Sequence, residues 1–301
     1  MKKFLTVFSM CVTALIFSAN AAALNLFACE PEWGALAQEL GGDRLSIYVA
    51  TNAMQDPHQV QARPSLLAQA RRANLLVCSG AELEAAWLPL VLQQAGNAVI
   101  QPGRPGYFEA ARHVQRVGVA TELDRAAGDI HASGNPHIQT DPRNIARIAA
   151  ALAQRLAEID PVNAPHYQTR YRDFAARWEA AMKRWEQEAA PLRGVAVVVH
   201  HNYFAYLENW LGLVQVAQLE PKPGVQPSSS HLAGVLEQLQ RQPARMVLRT
   251  PYNSARPSEW LSERAKTPAV MLPGTVGGSG QAKDLFGLFD DTVQRLLAAL
   301  K

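Results

Sequence analysis

Cysteine is scarce in this chain, with three residues in 301. Cys11 falls in an apolar stretch at the N-terminus, so a processed chain keeps only Cys29 and Cys78. Two cysteines do not amount to the disulfide framework of a small secreted scaffold. Charge of one sign is scarce as well. The formal net charge is +3, too small an excess for a nucleic-acid binder. Long apolar runs are limited to Phe4–Phe17, which is too short to span a bilayer as an anchor. With Lys2 and Lys3 before it and Ala19-Asn20-Ala21 behind it, that run reads as a secretory signal peptide over residues 1–23. Ala21-Ala22-Ala23 is a neighbouring cleavage point, and Phe8-Ser9-Met10 makes a poor lipoprotein box before Cys11. A soluble exported protein is expected. Loss of Lys2 and Lys3 lowers the formal charge from +3 to about +1.

A length of 301 residues predicts one large domain or two of ordinary size. Short apolar runs alternate with longer helical patterns. Strands are expected at Leu24–Ala28, Leu45–Ala50 and Leu75–Cys78, with further short ones at Ala98–Gln101 and Val117–Ala120. Helices are expected at Glu32–Leu40, which stops at Gly41-Gly42, at Ser65–Ala73 and at Glu82–Gln94. This rhythm argues for βαβ units and a parallel sheet. Asp141-Pro142 then opens a helix with an N-cap and a first-turn proline, and Asp160-Pro161 repeats the device. In the second helix Tyr167, Tyr171, Phe174, Trp178, Met182 and Trp185 recur every three or four residues, which marks one buried face. Beyond it the rhythm resumes, with strands at Val195–Val199, Val214–Ala217, Met246–Leu248 and Val270–Leu272. The expected fold is α/β, with two Rossmann-like lobes of parallel sheet joined by one long connecting α-helix. The lobes are read as residues 24–160 and 194–301, and the helix as 161–193.

Three histidines stand where chemistry is expected. His58 and His201 follow predicted strands, and His137 precedes a helix in a loop that reaches back from the strand expected to end near Ala120. Ligands of open α/β sheets bind beyond the carboxyl ends of the strands, so the three meet in the cleft between lobes. Taken singly, each is equally a turn or core-edge histidine. Together they suggest a metal site, since neutral imidazole suits zinc, copper, iron and nickel.

Several motifs lie in one order along nearly the whole mature chain: Gly41-Gly42-Asp43; Asp56-Pro57-His58 with Arg63-Pro64-Ser65; Ser79-Gly80-Ala81-Glu82-Leu83-Glu84 with Trp87-Leu88; Asn135-Pro136-His137 with Asp141-Pro142; Asp160-Pro161 to Tyr167; His201-Asn202-Tyr203-Phe204-Ala205-Tyr206; and Lys222-Pro223-Gly224 with Pro227-Ser228. This set resembles the metal-specific substrate-binding proteins of bacterial ABC importers, the group that handles zinc and manganese. The resemblance implies a periplasmic, non-enzymatic monomer that captures an ion through His58, His137 and His201. It implies delivery to an inner-membrane ABC permease, with a periplasmic metallochaperone as a further partner and no nucleic acid. Manganese members of that family lean on carboxylates. Three histidines, without the C-terminal aspartate that many members carry, point to Zn2+ bound as transported ligand. In place of that aspartate stands Pro273-Gly274-Thr275-Val276-Gly277-Gly278-Ser279-Gly280. Water is the favoured fourth ligand, with Glu30, Glu82 and Asp284 as the protein candidates. Zinc members also carry a long His-rich loop before the second ligand, where Gly128–Asn135 here holds only Asp129 and His131.

Around these residues the expectations are plainer. Asp56 and Asp141 are candidates to orient the imidazoles, or are simply caps. The family motif selects His201 over His200. His131 reads as a solvated loop residue that could pass metal inward, and His113, His166 and His231 have no assigned role. Cys29 and Cys78 end strands that βαβ logic sets side by side, leaving a disulfide, two thiols or a soft metal site open. Arg249 either pairs a carboxylate across the lobes or is solvated. The alternatives are a secreted zinc-dependent hydrolase and a manganese-binding member of the same family. Three histidines and an open water position also build a catalytic zinc, but no His-Glu-x-x-His motif or sequence-placed general base accompanies them.

Overall fold

The computed structural model describes residues 23–119, 131–222 and 224–301. The expected signal peptide lies outside them except for Ala23. Two four-stranded sheets, parallel throughout, form the frame. The first has the order β2-β1-β3-β4, built from β1 (Leu24–Ala28), β2 (Leu45–Val49), β3 (Leu75–Cys78) and β4 (Tyr107–Glu109). The second has the order β6-β5-β7-β8, from β5 (Ala196–Val199), β6 (Val214–Gln218), β7 (Met246–Arg249) and β8 (Ala269–Met271). Parallel neighbours need helical crossovers, and those helices cover both faces of each sheet. The central strands are therefore apolar along their length rather than alternating. All of Leu75-Leu76-Val77-Cys78 is buried, as is Val197-Val198-Val199.

In each sheet the chain leaves the first strand to one side and returns to the other. The crevice beyond the carboxyl end of that strand is where such folds hold ligands. In the second sheet His200 and His201 stand directly after β5. In the first, Cys29 follows β1 and Cys78 ends β3, whose register pairs Ala28 with Val77. The two cysteines form a disulfide, so of the three open readings the chain adopts the cross-link.

The connecting helix, α5 (Ala164–Glu188), has 25 residues, about 37 Å at 1.5 Å per residue. Short 3-10 turns at Pro161–Asn163 and Ala190–Leu192 flank it. Its aromatic stripe is buried at Tyr167, Phe174, Trp178 and Trp185. The helix packs on α1 (Pro31–Gly41) and α4 (Pro142–Ile159) of the first lobe and on α9 (Leu285–Leu300) of the second. Buried indoles keep their hydrogen bonds. Trp178 Nε1 donates to the Pro142 carbonyl at 2.9 Å, and Trp185 Nε1 to Asp290 Oδ1 at 2.6 Å. One apolar cluster runs from Leu26 through Trp178 to Val199 and Leu296, so the two lobes share a core.

Three sequence expectations change. Ala98–Ile100 is a 3-10 turn, not a strand, and the sheet edge is instead Tyr107–Glu109. Residues 117–119 form no strand, and Ala120 lies outside the described residues. The helix expected from Glu82 begins only at Leu88. Ala81 and Glu82 have φ of +48° and +70°, a left-handed conformation that cannot continue a right-handed helix.

The disulfide closes a sequence separation of 49 residues. Changing Cys29 and Cys78 together to alanine should lower the unfolding free energy by about 2–4 kcal/mol. The urea midpoint should fall accordingly while far-UV circular dichroism is unchanged.

Candidate metal centre

His58 sits in the loop after β2. Asp56 Oδ1 accepts from the His58 backbone N–H at 3.0 Å and lies 2.7 Å from His58 Nδ1. Trp87 Nε1 donates to the Pro57 carbonyl at 3.0 Å and fixes the loop from beneath. Burial opposes ionisation of Asp56, but the hydrogen bond and charge of His58 outweigh it and hold the carboxyl below its usual range. A proton on Nδ1, held by a carboxylate, leaves the Nε2 lone pair free to face inward.

His201 is oriented in the same way. Its Nδ1 lies 2.8 Å from Glu220 Oε2, and Glu220 also accepts from the Gly224 backbone at 3.1 Å. Glu220 stands just past β6, the strand beside β5, so neighbouring strand ends supply the imidazole and its carboxylate. His137 is held differently. It is 1% exposed, and its ring stacks on Tyr203 with centroids 4.1 Å apart. Tyr203 is itself fixed, since Gln139 Nε2 donates to its hydroxyl at 2.8 Å and the hydroxyl donates to the Gly274 carbonyl at 3.1 Å. Burial, reinforced by His58 and His201, pushes the His137 pKa well below that of a free imidazole.

The three rings converge. Their centroids are 5.3 Å (His58–His137), 5.6 Å (His58–His201) and 5.4 Å (His137–His201) apart. One ring nitrogen from each lies within 4.8 Å of the others. His137 Nε2 and His201 Nε2 are 3.3 Å apart. Tetrahedral zinc at about 2.0–2.1 Å from each nitrogen sets the nitrogens about 3.3–3.4 Å apart. The pair is therefore already spaced for one ion, and the donor set fits a first-row transition metal.

Other candidates fall elsewhere. Asp141 does not touch an imidazole. It caps α4 through the Arg143 backbone at 2.8 Å and pairs with the Arg143 guanidinium at 2.7 Å. Glu30 Oε2 accepts from the Ser79 backbone N–H and hydroxyl, both at 3.2 Å. Asp284 caps α9 through the Gly287 backbone at 2.8 Å. Glu82 accepts from the Ala132 backbone at 2.8 Å and the Ser133 hydroxyl at 3.0 Å. Arg249 donates to the Thr250 carbonyl. His200 is buried, 4.0 Å from Glu220, and outside the converging group. His131 departs from its reading as a solvated residue. It is partly buried, with Nε2 3.2 Å from His58 Nε2, and burial with the nearby His58 and His201 pushes its pKa down to about 4. Sequence reasoning missed Glu220, although an acid just past a predicted strand next to that of His201 was a usable signal.

Beneath the histidines lie three buried carboxylates. Burial raises Glu30 well above its usual range and lifts Glu32 and Glu84 to about 7. Glu32 accepts from the Thr275 hydroxyl, joining the lobes across the cleft floor.

Two lobes share a core, and a cluster of three histidines that could hold a metal lies at the carboxyl ends of their sheets. The chain belongs to the ZnuA family, the periplasmic component A of the zinc-uptake complex, whose profile matches residues 27–299. The high-affinity zinc uptake system protein ZnuA of Yersinia pestis is 26% identical over 207 residues, 65% of each chain. Its namesake in Brucella abortus (strain 2308) is 23% identical over 165 residues, covering 55% of this chain and 48% of that one. The match thus spans less than two thirds of these relatives' length. A crystal structure of ZnuA superposes with a TM-score of 0.77 at 22% identity, covering 93% of this chain and all of that one. A manganese-bound periplasmic metal-binding protein of Candidatus Liberibacter asiaticus reaches 0.74 at 16%, covering 92% and 100%.

Glu32 holds its proton more tightly folded than unfolded, so the folded chain binds more protons between about pH 4.5 and 7. Its contribution to stability is present at low pH and is lost as pH rises through that window. Glu32→Gln cannot ionise. Measured by urea unfolding, the variant should gain on the wild type between pH 5 and pH 8, by up to about 3 kcal/mol. A difference that stays flat with pH would mean that Glu32 ionises freely.

Proposed function

We propose that this chain is a periplasmic solute-binding protein that captures Zn2+ through His58, His137 and His201 and delivers it to an inner-membrane ABC permease. The observation that carries the reading is the convergence of three imidazoles in the cleft, two of them already oriented by carboxylates. Zinc is cargo here, not a catalyst. Only a neutral imidazole binds it, and burial keeps His137 neutral near pH 7. Asp56 and Glu220 place two negative charges one hydrogen bond behind the ligand nitrogens, matching the two charges of the ion. We further infer that residues 1–23 direct export and are removed. The mature chain then works as a monomer, taking the ion from solution or from a periplasmic metallochaperone.

The donor set favours zinc over manganese, because manganese prefers carboxylate and carbonyl oxygens. Hydrolysis is disfavoured on similar grounds. A hydrolytic zinc needs a carboxylate free to take a proton from its bound water. Both acids nearest the histidines, Asp56 and Glu220, are engaged at imidazole Nδ1.

The test is zinc and manganese titration of the metal-stripped mature protein. One zinc should bind per chain, far more tightly than manganese. His58→Ala, His137→Ala and His201→Ala should each weaken zinc by more than about 100-fold, beyond the 10–100-fold typical of losing an outer partner. Glu220→Gln should fall within that 10–100-fold range at unchanged stoichiometry. Binding that survives the histidine changes, or a preference for manganese, would refute the reading.

A further inference from the structure

A second group of buried side chains, separate from the histidines, has no part in zinc capture. Behind Tyr203, the ring that covers His137, a small cavity of about 20 Å3 lies between the lobes. It has room for about one water-sized sphere. The first lobe supplies Glu30, Glu32 and Thr51 to its wall, the turn after His137 supplies Gln139, and the second lobe supplies Tyr252 and Thr275. Among the described residues no Lys, Arg or His lines it. Glu30 and Glu32 are 3% and 1% exposed. Two acids thus stand out of water with no cationic side chain on the cavity wall. Buried carboxylates are ordinarily paired or bound to a metal.

Three polar atoms of these residues are buried with no hydrogen-bond partner: Glu30 Oε1, Gln139 Oε1 and the Tyr252 hydroxyl. The Gln139 amide has a fixed orientation. The Tyr203 hydroxyl donates to the Gly274 carbonyl at 3.1 Å, so it accepts from Gln139 Nε2 at 2.8 Å, and Oε1 is the end left over. A buried acceptor without a partner is destabilising. The threonines present acceptors as well. Thr51 donates its hydroxyl proton to the Cys29 carbonyl at 2.8 Å, and Thr275 donates its own to Glu32. We propose that this cavity is a second cation site, distinct from the histidine centre, and that it takes a hard, oxygen-preferring ion, Ca2+, between the lobes.

The donors and the volume select the ion. Carboxylate and carbonyl oxygens suit Mg2+, Ca2+ and Mn2+ rather than zinc. Six side chains bring oxygen to the wall: Glu30, Glu32, Thr51, Gln139, Tyr252 and Thr275. Ca2+ takes about six to eight oxygen ligands in flexible geometry. Mg2+ demands a near-ideal octahedron and keeps several of its waters, for which a cavity of about 20 Å3 has no room. The carboxylates of Glu30 and Glu32 match the two charges of the ion. Without it, burial leaves protons to do that work, raising Glu30 well above its usual range and Glu32 to about 7. The bound ion joins the start of α1 to Tyr252 and Thr275 and so pins the lobes together beneath the histidines.

The test is calorimetric titration of Ca2+ and Mg2+ into the full mature chain, both metal-stripped and loaded with one zinc, with melting followed as Ca2+ is added. Because the stripped chain is included, the result does not depend on the zinc reading. The zinc-loaded wild type should take up one Ca2+, melt higher as Ca2+ is added, and bind Mg2+ more weakly. Glu30→Gln and Glu32→Gln keep the shape and remove the charge. Each should weaken Ca2+ by more than about tenfold, the low end for losing even an outer partner of a metal, and abolish the rise in melting. Unchanged far-UV circular dichroism and retained one-to-one zinc binding show the variants to be folded. No Ca2+ uptake by the wild type, with or without zinc, would overturn the proposal and leave water as the occupant. Uptake that survives both substitutions undiminished would put the Ca2+ elsewhere and overturn it as well.

Discussion

The structure is organised around three imidazoles, of His58, His137 and His201, that converge on one point in the cleft. Left to themselves, such rings would turn to water or take up protons. Here each is restrained. Asp56 and Glu220 hold the Nδ1 sides of His58 and His201, and the Tyr203 ring covers His137. Converging acceptors in a partly dehydrated cleft are unfavourable by themselves, and the fold bears that cost; on the proposed function a captured cation would remove it. The carboxylates do not need to touch the metal to matter. They set tautomers and supply compensating charge from behind, which makes the nitrogens better donors.

Placing those rings requires both lobes to be in register. His58 comes from the loop after β2, His137 from the turn before α4, and His201 from the end of β5. A shift of one lobe by an ångström or two would break the set. The shared core prevents this. The stripe from Tyr167 to Trp185 packs the long helix against elements of both halves, and Trp178 and Trp185 fasten it by hydrogen bonds on the two sides. A wide hinge rotation would open that core to water. On the proposed function, loading and release would work through small movements at the cleft, where His58 and His201 border solvent and His137 does not.

Much of this was legible in the sequence because its signals are local. Apolar runs between helix stops marked seven of the eight strands among the described residues, and a three- and four-residue aromatic spacing marked the long helix. Asp-Pro pairs marked the start of α4 and the turn before α5. The strand that was missed, Tyr107–Glu109, has three residues after a Gly- and Pro-rich stretch and owes its conformation to pairing with β3. The late start of the helix at Leu88 was hidden because the buried Glu84 carboxylate takes the backbone N–H groups of Ser79 and Gly80, closing a turn in which Ala81 and Glu82 are left-handed.

At the site, ordered motifs brought out His58, His137 and His201, and Asp56 was found because it lies two residues from its imidazole. Glu220 lies 19 residues from His201, and His131 lies 73 from His58. Such pairings depend on sheet order and loop path, which spacing does not carry. Asp141 misled for the opposite reason, since a residue that looks like a cap is, here, a cap.

The most direct measurement is a crystal structure of the zinc-loaded protein with anomalous data collected across the zinc edge. A single strong peak bounded by His58, His137 and His201, about 2.0–2.1 Å from one nitrogen of each, is the result expected. A peak lying elsewhere, with those three rings left in their present positions, would contradict the account.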